Sequence, residues 1–181
     1  MTRDAAHALD LDAYLARIGY DGERRPTADV LRSVHRAHAL GIPFEGAVDP
    51  APVSAVYGMP EVAGTGLTEE QCRAEGLDYA VGRSELGETP RGAIAGRGGL
   101  LKVIFLKHNR KLVGVHCICD IASEIVGIGQ MAIRCGATVN TIANMSMNTP
   151  TYSYAYKYAV FDGLRRVMTK AAKGGMKYGT D

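Results

Sequence analysis

Proton chemistry near neutrality needs an imidazole, a tuned carboxylate or a thiolate, held where its backbone is fixed on both sides. The stretch Asn148-Thr149-Pro150-Thr151-Tyr152-Ser153-Tyr154-Ala155-Tyr156-Lys157-Tyr158-Ala159 has the outline of such a place. Pro150 suits the first turn of a helix, where its missing N–H leaves no helical bond unmade. Its ring pushes Thr149 towards an extended conformation. Ala155, Tyr158, Ala159 and then Asp162-Gly163-Leu164 recur at helical spacing. The expectation is an extended arrival, a turn and a helix. The side chains at that entrance cannot move a proton at pH 7, because threonine does not titrate there and tyrosine has a reference pKa of ~10. The tyrosines at 152, 154, 156 and 158 therefore read as surface covering more than one helix face, an interface first.

The remaining reactive types are few. Cys117-Ile118-Cys119 on a strand puts two thiols on one face and His116 on the other. No C-x-x-C and no further ligands at metal spacing accompany them, so the pair reads as buried, reduced and structural. Cys72 and Cys135 complete the set of four. His35 and His38, three apart on a helix face, lack a third ligand nearby and read as a satisfied pair. Gly127-Ile128-Gly129-Gln130-Met131-Ala132 matches G-x-G-x-x-A, but a dinucleotide fingerprint opens its helix at the glycines, whereas these fall in mid-helix. There they would let a neighbouring element come close. No catalytic residue and no metal site is expected.

A chain of 181 residues, 46% hydrophobic and 22% charged, suits one globular domain with a small helical piece attached. A formal charge of +2 is too small to argue for nucleic acid. No apolar run reaches the ~18–20 residues of a membrane helix, and Met1-Thr2-Arg3-Asp4 does not begin a signal peptide. A cytoplasmic protein is the expectation.

Residues 1–48 read as a helical pair. Asp10 precedes a stripe of Leu11, Leu15 and Ile18, and Thr27 caps a second helix through Leu31, Val34, His35 and His38. Residues 47–59, with Asp49-Pro50-Ala51-Pro52, form a join. Residues 60–67 are extended. Thr68-Glu69-Glu70-Gln71 is a capping box whose short helix ends at Gly76. A strand follows at 79–83, then a glycine-rich loop over 86–99 with a strand at Ala93-Ile94-Ala95. Residues 100–106 and 112–118 are dense in β-branched and apolar types and form a hairpin. Asp120 is expected to cap a helix with the stripe Ile121, Ile125, Ile128 and Ala132, ended by Gly136. A short helix at 141–145 leads to the opening stretch, and 171–181 is a flexible tail, with Lys173 and Lys177 solvated.

Two resemblances stand on these residues. Leu11-Asp12-Ala13-Tyr14-Leu15-Ala16-Arg17-Ile18-Gly19-Tyr20, Pro26-Thr27, His35-Arg36-Ala37-His38 and Ile42-Pro43-Phe44-Glu45 resemble the opening of the arylamine N-acetyltransferases. That family acylates a cysteine in an Arg-Gly-Gly-aromatic-Cys motif, whereas Arg97-Gly98-Gly99 here runs on into Leu100-Leu101, so no nucleophile carries over. Residues 59–71, 99–105, 112–116, 122–132, Pro150-Thr151, 155–159 and 162–166 resemble, in order, the C-terminal dimerisation domain of the flavin-dependent pyridine nucleotide–disulfide oxidoreductases. The branch whose pattern they share is the soluble pyridine nucleotide transhydrogenases, through His116-Cys117 and Ile128-Gly129-Gln130.

The second resemblance implies an α+β fold, an antiparallel sheet with helices packed on it, over 49–170. It implies a homodimer, FAD and NAD(P) as cofactors, and contact of Thr149, Pro150 and Thr151 with FAD across the dimer. In the disulfide reductases the helix entrance reads His-Pro-Thr-x-x-Glu. Here Thr149 stands for the His, as in the transhydrogenase branch, and Tyr154 for the Glu. The two nucleotide-binding domains of such an enzyme have no counterpart in these 181 residues. Catalysis would then need a separate FAD- and NAD-binding chain. The other readings are an acetyltransferase-like protein without its cysteine, and a recombined fragment without selected activity.

Overall fold

The computed structural model describes Leu40 and residues 51–175, with side chains as far as residue 169. The helical pair expected over 1–48, with His35 and His38, lies outside the described residues, as do residues 176–181 of the tail. The account that follows is of the second of two units, Ala51–Asp181.

Five antiparallel strands make one sheet in the order β1-β2-β5-β4-β3. The hairpin β4 (Leu100–Leu106) and β5 (Leu112–Cys119) forms its centre, as the apolar runs require. A register shift between Ile104 and Phe105 leaves Val113 as the extra residue of β5 and marks a bulge there. β2 (Glu61–Gly66) pairs with β5, setting Ala63 opposite Cys117 and Gly64 opposite His116. β3 (Tyr79–Glu85) pairs with β4 along its whole length and forms one edge. The other edge is β1 (Ser54–Val56), three residues inside the expected join.

The first helix, α1 (Glu69–Ala74), opens on the capping box: Gln71 N–H bonds the Thr68 hydroxyl and Thr68 N–H bonds the Gln71 side chain. Gly76, at φ +64°, follows its end. The expected strand at 93–95 is instead part of a helix, α2 (Pro90–Ala95). Its caps explain the difference. The buried Thr89 hydroxyl accepts from Gly92 N–H and donates to the Leu86 carbonyl, Pro90 opens the first turn, and Gly96 closes it at φ +63°. A 3-10 turn, Leu86–Glu88, precedes it.

Helices α3 (Ala122–Arg134) and α5 (Ala155–Gly175) lie on one face of the sheet, α3 over β2 and β5 and α5 over β3 and β4. α5 carries the helix through residues 171–175, inside the expected tail. The buried stripe of α3 is Ala122, Ile125, Val126 and Gly129, turned from the expected one so that Ile121 is exposed. Asp120 does not cap it. The carboxylate that accepts from Ser123 N–H (3.0 Å) and Ser123 Oγ–H (2.7 Å) is Glu61, which reaches the first turn from β2. Between sheet and helices lie Leu101, Val103, Phe105, Val115, Ile125, Val126, Ala159 and Val160, joined by Val139 and Ile142 of α4 (Val139–Asn144). Burying each large aliphatic or aromatic side chain contributes ~1.5–3 kcal/mol before entropy is counted.

Candidate functional site

The Asn148–Leu164 stretch joins α4 to α5. The Thr149–Pro150 bond is cis. Pro150 is not the first residue of a helix: Thr151 is extended (φ −139°, ψ 155°), a 3-10 turn spans Tyr152–Tyr154, and α5 begins only at Ala155. Asn148, Thr149 and Pro150 are exposed and Thr151 is half-buried. The Thr151 hydroxyl donates to the Asn148 carbonyl at 2.7 Å and lies 2.9 Å from Ser153 Oγ, which closes the turn on itself. What the turn offers outward is the Thr149 side chain and the proline ring.

The four tyrosines do different things. Tyr154 and Tyr158 stack edge to face with centroids 5.4 Å apart, and the Lys157 ammonium lies 5.9 Å from the Tyr154 centroid. Tyr152 is half-buried. Tyr156 is not surface at all but fully buried. Its hydroxyl donates to the Ile125 carbonyl (2.9 Å) and accepts from Gly129 N–H (3.0 Å), an i, i+4 pair of groups on α3. Burial pushes its phenol pKa up. Gly129 is what makes the approach feasible, since a Cβ there would stand 2.9 Å from the Tyr156 oxygen and 2.7 Å from Val115. The mid-helix glycine thus serves close packing, and Gly127 of the same motif faces open space.

Farther along α5, Asp162 receives Arg83 N–H (3.0 Å), Arg166 Nε–H (2.7 Å) and Arg165 Nη2–H (3.0 Å). Burial works to raise its carboxyl, but the hydrogen bonds from Arg166, the Arg83 backbone and Arg165 outweigh it and hold the group below its ordinary range. α5 crosses β3 closely here, and a Cβ on Gly82 would lie 1.8 Å from the Ala159 carbonyl oxygen.

On the opposite face of the sheet His116 Nε2 lies 3.0 Å from the Leu67 carbonyl, a structural contact. Cys117 and Cys119 point together to the helix side, both buried, with sulfurs 3.7 Å apart. Thr149, Pro150 and Thr151 remain adjacent in one turn, with no imidazole or carboxylate of their own. Sequence reasoning missed the bridging hydroxyl of Tyr156 and the cap supplied by Glu61, because both partners are remote in the chain. Among the described residues every strand pairing is antiparallel, so they contain no parallel β-α-β unit of the dinucleotide-binding kind. No described helix is long and apolar enough to cross a membrane.

Residues 53–160 match the family described as "Pyridine nucleotide-disulphide oxidoreductase, dimerisation domain". A soluble pyridine nucleotide transhydrogenase of Photobacterium profundum is 34% identical over 154 residues, which cover 83% of this chain and 33% of that protein. One from Mycobacterium tuberculosis is 37% identical over 131 residues, 72% of this chain and 28% of that one. Among solved structures, LpdA of Mycobacterium tuberculosis superposes with a TM-score of 0.66 at 22% identity over 78% of this chain and 30% of its own. The flavoprotein disulfide reductase RclA of Escherichia coli gives 0.63 at 23% identity, over 71% and 30%. These two show the fold. The chain spans about a third of the length of the relatives it matches. An antiparallel five-stranded sheet carrying two long helices, matched across its strands and into α5, makes this chain a member of the pyridine nucleotide–disulfide oxidoreductase family through that family's dimerisation domain.

Proposed function

We propose that this chain supplies the subunit-pairing part of a transhydrogenase-like flavoprotein that exchanges hydride between nicotinamide nucleotides in the cytoplasm. The observation that carries the reading is the family match over residues 53–160, supported by an intact sheet and both of its covering helices. Two copies pair as a homodimer, and the Thr149-Pro150-Thr151 turn of one copy faces the FAD held in the assembly. The turn fits an edge of a flavin ring: Thr149 and Pro150 are exposed, and among the described residues no protein group bonds the Thr149 hydroxyl. Thr149 would hold the flavin by one hydrogen bond and Pro150 by apolar contact. FAD, when bound, supplies the hydride chemistry. Hydride exchange calls for no thiol base, and Thr149 and Tyr154 offer none. FAD and NAD(P) are bound by elements other than residues 51–175, on another chain or on further sequence, so the 181 residues by themselves are inactive.

Light scattering on the purified chain tests the pairing. The expected result is twice the chain mass at micromolar concentration, and a clean monomer there overturns it. Titration with FAD alone should leave the flavin absorbance unshifted, while addition of an FAD- and NAD-binding half should shift it in a manner weakened by Thr149→Val.

A further inference from the structure

We propose that Cys117 and Cys119 form a peroxide-oxidisable dithiol, with Cys119 on the wall of a small pocket as the sulfur that attacks the peroxide and Cys117 as the resolving thiol. The pair sits on the helix side of β5 with its sulfurs 3.7 Å apart. Cys119 lines a pocket of about 200 Å³ together with Arg91, Arg97, Asp120, Ile121 and Tyr152. A water claims ~30 Å³ of liquid, so a hydroperoxide has room. Cys72, by contrast, is fully buried under α1.

Several groups bear on the Cys119 sulfur. The hydrogen bond between the two sulfurs is the largest influence on Cys119 and lowers its pKa, with Cys117 as the donor in the arrangement proposed. Ile121 N–H, at the N-terminus of the thirteen-residue α3, adds to the effect. Burial, Asp120 and Glu61 act the other way. Arg97 is paired with Asp120 at 2.6 Å, and Arg91 of α2 is the other arginine lining the pocket. Cys117 is correspondingly held protonated, by the bond it donates and by burial. One thiolate and one neighbouring thiol are what a two-step oxidation requires.

In the first step the Cys119 thiolate attacks the O–O bond of a hydroperoxide. An S–O bond forms, the O–O bond breaks, and the leaving alkoxide or hydroxide takes a proton from solvent. In the second step Cys117 sulfur displaces the hydroxyl of the Cys119 sulfenic acid, and the thiol proton leaves with it as water. The pair is oxidised by two electrons and the peroxide reduced by two. Residues two apart on a strand have Cα atoms ~6.6–6.8 Å apart, at the long limit of the disulfide range. Cys119 ends β5, so the turn through Asp120 can give. The bond is strained and easily reduced, which makes the modification reversible.

The test uses the full chain, reduced and then exposed to a few equivalents of hydrogen peroxide, with free thiols alkylated after denaturation and the peptides mapped by mass. The expected product is 2 Da lighter, carries a Cys117–Cys119 link, keeps Cys72 and Cys135 alkylatable, and reverts with dithiothreitol. In Cys117→Ser a dimedone adduct accumulates on Cys119, and in Cys119→Ser oxidation at Cys117 slows at least tenfold. The rate of Cys119 alkylation in the native chain should rise with a midpoint below the ~8.5 of an ordinary thiol. Oxidation of Cys135 before the pair, or of Cys119 no faster than Cys72, overturns the proposal. The wild-type map decides this even if a variant fails to fold.

Discussion

Tyr156 shows how much a single buried hydroxyl can do. It stitches α5 to α3 by occupying both the Ile125 carbonyl and Gly129 N–H. Tyr156→Phe keeps the ring and removes the stitch, so its cost should be that of one or two lost buried hydrogen bonds, ~1–2 kcal/mol. Urea unfolding should show a lower midpoint at unchanged slope. Glu61 gives a prediction with a sign. The Ser123 hydroxyl and backbone N–H hold its carboxyl below the ordinary value of 4.5. A group whose folded pKa is depressed contributes stability that is present above its unfolded pKa and lost as pH falls through the folded one. Stability measured from pH 6 downwards should therefore decline on the acid side, and Glu61→Gln should flatten that decline while lowering stability at pH 7. Asp162, depressed by its arginines, acts in the same direction.

At the scale of the element, local signals were legible and remote ones were not. The Thr68 capping box, the central hairpin and the Gly136 stop all rest on residues within a few positions of each other, and each stands where the sequence places it. Helix α2 was misread because six residues give no period to recognise. Thr89, Pro90 and Gly96 define it by its ends alone. Thr89→Ala should accordingly cost ~1–2 kcal/mol, read by thermal or urea unfolding, since it removes the cap and leaves the buried Gly92 N–H without its hydroxyl partner. The start of α3 could not be read at all. Its cap is a carboxylate 62 positions earlier, brought there by the pairing of β2 with β5. β1 escaped for a simpler reason, three residues being too few for an alternation. At the candidate site the turn at Thr149–Thr151 was visible, but alternation of tyrosines said nothing about which one the core takes.

For the whole molecule, the family was legible because its motifs recur in order over most of the described sheet, and residues 53–160 bear this out. The sheet has two edges, and they are treated differently. β3 is seven residues long and, among the described residues, has no strand beyond it. Asp162 takes the Arg83 N–H on that side, and α5 lies close against Gly82. A further strand would find that donor occupied and a carboxylate with two arginines in its way. Among the described residues β1 has only its shortness for protection, with Val56 and Tyr57 exposed beside it. Asp162 thus gives the described sheet a direction of growth: stacking of strands, whether with a copy of this chain or in aggregation, is blocked past β3, and among the described residues nothing blocks it past β1.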